Sequence, residues 1–119
     1  MKIGDFTRML DKSVRCDFDW VKLSKNTSIP HKIGILQVCE NLTLRELPFV
    51  TEAKFTKEHG GGRADVVSPL SNQIFEILVT ESEERFEAKK SKYPKEFTIV
   101  PIKMIKVVRK KDVPPDYVG

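Results

Sequence analysis

Three acidic residues carry the chemistry this sequence can support: Glu52 in PFVTEAKF, Asp65 in GRADVV and Glu76 in IFEILVT. Each lies in a short run rich in Val, Ile or Phe. Such runs read as buried strands, and a carboxylate in a buried strand is costly unless something compensates it. The turn signal PLSN, Pro69 to Asn72, separates the last two runs. A hairpin centred on that turn puts Asp65 opposite Glu76. Like charges directly opposed on one sheet face destabilise it. A divalent cation between them turns the repulsion into a binding site. The expectation is therefore one acidic cluster of Glu52, Asp65 and Glu76 holding Mg2+ or Mn2+.

The elements that position these acids follow from local signals. Ser28 before Ile29 and Pro30 reads as a helix N-cap with Pro in the first turn. Ile35, Cys39, Leu42 and Glu46 then recur at helical spacing, with Ile33, Leu36 and Leu47 beside them. Gly34 is the one weak point in that helix. Three strands follow, at about 48–56, 63–68 and 73–80. The KEHGGG segment between the first two supplies glycines for a turn. Thr80 with Glu83 fits a capping box for a second helix, and Pro94 ends it. Phe86, Lys89 or Lys90, and Tyr93 share one face of that helix. A fourth strand, FTIVPIK, closes the order. Strands apolar on both sides need cover on both faces, so a mixed sheet between helices is expected. Residues 1–28 read as an N-terminal extension: Phe6, Met9, Leu10 and Val14 have helical spacing, and CDFDWVKLSKNTS is irregular or a covering strand.

This order, with acids at these points, resembles the PD-(D/E)XK nuclease superfamily, which includes restriction endonucleases and archaeal Holliday junction resolvases. The resemblance spans about residues 30–103 and implies an α/β, restriction-endonuclease-like αβββαβ core in a single domain. It implies that Asp65 and Glu76 bind magnesium, that Glu52 assists, and that Glu40 on the first helix is a helper carboxylate. It further implies a metal-dependent endonuclease acting on DNA, structured or branched DNA included. The departure from the pattern is at position 78. The superfamily motif ends in a lysine there, and this chain has Leu78. Lys54 and Lys89 are the candidate replacements. The alternative is a catalytically inactive nuclease-fold module that binds DNA or protein. A third reading is a partner-binding domain unrelated to nucleic acid.

Composition sets the limits. The chain has 119 residues and a formal net charge of +4, with a pI near 9.1, a mild bias toward an anionic partner. Charged residues are abundant and Asn and Gln few, a thermophile-like balance. Lys57 and Arg63 flank the glycine turn and are the candidate DNA contacts, with Arg109, Lys110 and Lys111 as a second basic arm. Cutting both strands, or a symmetric junction, implies a homodimer. No apolar run is long enough to cross a membrane, and the first residues lack the apolar core of a secretory signal, so an intracellular protein is expected. Cys16 and Cys39 read as free thiols. GGGR lacks the ending of a phosphate-binding loop and reads as a mobile hairpin turn. His31 and His59 have no partner at ligand spacing and read as structural or exposed. Trp20 and Tyr93 read as core, and ESEERFEAKKSK as a solvated helix face.

Overall fold

The structure, a computed structural model, describes residues 1–104. Ser28 accepts the amide proton of His31 at 3.3 Å, and Pro30 occupies the first turn, so the main helix begins where the capping signal put it. This helix, α2 (Ile29–Leu44), follows a short α1 (Ile3–Arg8). It stops two residues before the expected Glu46, which instead turns the chain in a left-handed conformation with φ 57°. The Leu47 amide then bonds back to the Leu42 carbonyl at 2.9 Å, which satisfies an orphan helix carbonyl.

Four strands follow: β1 (Val50–Lys54), β2 (Arg63–Ser68), β3 (Gln73–Leu78) and β4 (Thr98–Lys103), with α3 (Glu83–Lys90) between the last two. They form one mixed sheet in the order β1-β2-β3-β4. The first two pairings are antiparallel and β3–β4 is parallel. The expected α/β class with a mixed sheet and helices is what the chain adopts. Asn72, at φ 54°, closes the PLSN turn, its amide donating to the Pro69 carbonyl at 3.1 Å. The predicted hairpin register holds in Val66↔Phe75, Val67↔Ile74 and Ser68↔Gln73.

Each sheet face has its own core. On one, Ile35, Val38, Cys39 and Leu42 of α2 pack on Phe49, Val66, Phe75 and Ile77. Gly34 permits this approach: a Cβ there would sit 2.5 Å from the Ile77 Cγ2. On the other, Phe6 lies at the centre with Val50, Phe55, Val67, Ile74, Tyr93 and Phe97. Phe6 meets Phe18, Phe55 and Phe97 edge-on at centroid distances of 6.1–6.2 Å. The N-terminal segment is thus part of the core rather than an appendage. Its helix is shorter than the periodicity suggested, because Leu10 leaves it to bridge Phe55.

Residues 19–22 run irregularly along the β1 edge. The Asp19 amide bonds the Phe49 carbonyl at 2.9 Å, and the Thr51 hydroxyl bonds the Trp20 carbonyl at 3.2 Å. The Trp20 ring itself is mostly exposed, contrary to its reading as core, because the backbone and not the ring is the part held against β1. Helix α3 starts later than expected. Its N-cap is Ser82, accepting from the Arg85 amide at 3.3 Å, and not Thr80. That start places Glu83 and Glu84 in the first turn, where the helix dipole favours acids. It also leaves Glu81 outside the helix, free to meet Lys89. No helix among the described residues is long and apolar enough to cross a membrane.

Candidate functional site

Both sheet ladders break at one row. The β1–β2 pairing runs Val50↔Val67, Thr51↔Val66, Ala53↔Ala64, Lys54↔Arg63 and skips Glu52 and Asp65. The β2–β3 pairing stops at Val66↔Phe75, one short of Asp65 and Glu76. The three acids are therefore successive members of one row across the sheet. Glu52 holds φ 49°. Regular alternation would put residues three apart on opposite faces, yet Val50 and Ala53 share one core, as do Ala64 and Val67. Both strands shift phase together at the acid row, which is why the register survives on either side of it.

The Asp65 carboxylate fills the gap this leaves. One oxygen accepts the Ile77 amide proton at 2.8 Å. The other lies 3.0 Å from the His31 Nε2 on the first turn of α2. Glu76 is 2 % exposed. Its Oε1 is hydrogen-bonded by the Tyr93 hydroxyl, which also lies 2.9 Å from the Arg63 carbonyl oxygen. The Asp65 and Glu76 carboxyl groups act on each other as hydrogen-bond partners and as charges.

A tyrosine hydroxyl carries one proton. Tyr93 faces two oxygens, the Arg63 carbonyl and Glu76 Oε1, and donates to one of them at a time; the single proton of a neutral Glu76 is the one directed at Asp65. The electrostatics agree. Burial, then the Asp65 hydrogen bond and charge, push the Glu76 carboxyl up to about 10. For Asp65, burial pushes upward, but bonds from His31, Glu76 and the Ile77 amide together hold it below the ordinary value. The His31 imidazole is raised, chiefly by its bond to Asp65 and against the effect of burial. The pair thus divides its roles: Asp65 is the ionised acid and Glu76 the protonated one.

Lys89 and Glu81 complete the surroundings. The Lys89 ammonium donates to the Glu81 Oε1 at 2.8 Å and lies 2.7 Å from Oε2, which is buried without a hydrogen bond of its own. Lys89 acts on Glu76 as a nearby positive charge, and Glu81 as a negative one. Glu81 also lines a cavity of about 520 Å³ at the ends of β3 and β4, with Leu78, Phe86, Glu87 and Lys103. Neither Asp65 nor Glu76 reaches that cavity.

The other sequence candidates lie elsewhere. Glu52 opposes Asp65 in the register, but no three His, Cys, Asp or Glu side chains among the described residues group as a metal-holding set. The Lys54 ammonium bonds the Gly61 carbonyl. Lys57, on the turn between β1 and β2, and Arg63, the first residue of β2, are both exposed. Glu40 is exposed. It lies nine residues after His31, which puts it about 13 Å along the helix and on its opposite side, away from Asp65. The expected basic arm at Arg109 to Lys111 lies outside the described residues.

His31 is the residue that sequence reasoning missed. It stands 34 residues from Asp65, and no spacing rule links the two. The one available signal was its place in the first turn after Ser28 and Pro30, at the helix end facing the strands. Tyr93 was assigned to the core and is buried there, but its hydroxyl bond to Glu76 was unforeseen. The glycine loop is also docked. The Gly62 amide bonds the Lys92 carbonyl at 2.9 Å, and a Cβ on Gly62 would meet that oxygen at 2.6 Å. This docking holds Tyr93 beside Arg63. No family model, curated protein or solved structure matches the chain.

Proposed function

We propose that this chain is a metal-dependent phosphodiester hydrolase, an endonuclease of the PD-(D/E)XK type acting on DNA, structured or branched DNA included. The observation that carries the reading is the meeting of Asp65 and Glu76 from adjacent strands at a break in the sheet, with the Lys89 charge acting on Glu76. Two carboxyl groups offer hard oxygen donors. Magnesium is held in many sites by one or two carboxylates with waters completing its shell, so the donor chemistry of the pair suits Mg2+ or Mn2+ once Glu76 gives up its proton. Asp65 and Glu76 would hold the ion. Bound there, it would supply an activated water and stabilise charge developing on the phosphate.

The chain's own residues prepare that site. His31 and the Ile77 amide fix both oxygens of Asp65 and keep it ionised. Tyr93 orients Glu76 and fills its second hydrogen-bonding position. Lys89 acts on Glu76 as a positive charge, and in this reading it takes the role of the motif lysine that Leu78 replaces. Lys57 and Arg63 are exposed for phosphate contact.

Two observations favour the inactive-module reading: Leu78 is buried at the motif position, and Lys89 is held by Glu81. Cleavage of plasmid, single-stranded and four-way-junction DNA in magnesium or manganese, against a chelator control, separates the two. Metal-dependent cutting that Asp65→Asn abolishes supports the hydrolase. Binding in calcium without cutting in magnesium supports the module. Neither binding nor cutting overturns both.

A further inference from the structure

The outward face of α2 is apolar, and no described element covers it. Ile29, Ile33, Leu36 and Leu44 are 64, 42, 46 and 77 % exposed, and their spacing sets them along one stripe. The inward stripe of Ile35, Val38, Cys39 and Leu42 is already buried on the sheet. A surface helix with one partner has one apolar face; this helix has two.

We propose that a second copy of this chain covers the outward face, with α2 packed against α2, antiparallel about a two-fold axis beside Leu36. The charges select this occupant. Glu40 interrupts the stripe and Lys32 flanks it, and neither is ion-paired among the described residues. Lys32 and Glu40 stand four residues before and after Leu36. A two-fold axis there sets Lys32 of one copy level with Glu40 of the other, twice per dimer. The same operation brings Ile29 against the Thr43–Leu44 end of the partner helix. The patch is self-complementary, as an isologous interface requires. A parallel pairing would set Glu40 beside Glu40. An uncharged apolar partner would bury Glu40 with nothing to compensate it. The proposal is independent of the nuclease reading, and its test involves neither DNA nor metal.

Sedimentation velocity of the full chain, extended into the high micromolar range, should show a monomer–dimer equilibrium. Leu36→Glu should leave only monomer while circular dichroism and melting of that monomer stay native, since Leu36 contributes little to the monomer core. Glu40→Lys and Lys32→Glu should each raise the dimer dissociation constant about tenfold or more through like-charge contacts. Combined in one chain, they should restore the wild-type value. A monomer at every concentration overturns the proposal. So does a dimer indifferent to Leu36→Glu, or a double reversal no tighter than the single ones.

Discussion

The Asp65 carboxylate takes the amide proton of Ile77 at 2.8 Å, so a side chain stands where the β2–β3 ladder would place its next backbone bond. Strand β3 keeps that amide satisfied, and β2 is released from pairing at the row where the acids lie. His31 closes the arrangement at 3.0 Å on the other oxygen. An amide side chain keeps only part of this: its oxygen can take the Ile77 amide, but its nitrogen then faces His31, which must lose its Nε2 proton and with it the charge-assisted bond. Asp65→Asn should cost about 1–3 kcal/mol, the penalty of a buried hydrogen-bonding group left unmade. The histidine reports the same contact. Its raised pKa adds stability that is full below the ordinary histidine value and fades as pH climbs through the raised one. Asp65, held low, adds stability above the ordinary aspartate value that is lost as pH falls through its depressed one. The pair therefore stabilises the fold between those limits. NMR titration of His31 should show its pKa falling toward the ordinary range in Asp65→Asn; an unmoved His31 would show the pair to be energetically idle.

Glu76 should make the protein less stable as pH rises. Its carboxyl moves from an ordinary 4.5 to about 10 on folding. A group raised in this way contributes fully below its unfolded value, and that contribution is lost as pH climbs toward the folded one. Glu76→Gln removes the titration while keeping the shape. The variant should melt higher than wild type at pH 8, by roughly 4 °C for each kcal/mol relieved, and the gap should narrow by pH 5. Equal melting curves for the two proteins across that range would contradict a protonated Glu76.

Metal binding should inherit that proton. A cation held by Asp65 and Glu76 displaces it, so affinity should rise with pH. Manganese or magnesium should raise the melting temperature of the wild type, more at pH 8 than at pH 6, and Asp65→Asn should abolish the rise. A melting curve unchanged by saturating manganese at pH 8 would count against the site.

The two candidate lysines should part company. Lys54 is committed to the Gly61 carbonyl, on the turn after β1. Lys89 lies close enough to Glu76 to lower its pKa. Lys89→Ala should depress cleavage about a hundredfold, within the span that single charge-stabilising groups supply, and leave metal-induced stabilisation in place. Lys54→Ala should loosen the turn and change cleavage little. Single-turnover assays on junction DNA compare them directly, and the reverse ranking would reassign the charge to Lys54.

Gly34 sets two effects against each other. Alanine in a helix interior is better than glycine by about 1 kcal/mol. The added Cβ would lie 2.5 Å from Ile77 Cγ2 and 3.2 Å from Met104, and overpacking of a tight core costs about 1–3 kcal/mol. The second effect should win. Gly34→Ala should lower the midpoint of urea unfolding, and it should broaden the Ile77 amide resonance, since Ile77 anchors Asp65. A stabilised variant would show that α2 rides further from the sheet than Gly34 implies.

Short-range chemistry accounts for most of what could be read from the chain alone. Ser28 and Pro30 start a helix wherever their neighbours lie, because the cap acts within one turn. The PLSN turn sets the register of its own hairpin, and so places Asp65 in line with Glu76 before any distant contact exists. Glu52 shows where such reading ends. Counting along the strand puts its side chain on a predictable face, but a left-handed φ of 49° and the matching shift at Asp65 are joint properties of two paired strands. The contacts that make the acid row a site span greater separations still. His31 reaches Asp65 across 34 residues, and Tyr93 reaches Glu76 across 17. Lys89 meets Glu81 because α3 starts at Ser82. Periodicity says which face a residue occupies within its own element. How a helix end meets a strand edge is decided by packing, here by the space at Gly34 and Gly62, and packing is what divides the acid pair into one ionised member and one protonated member.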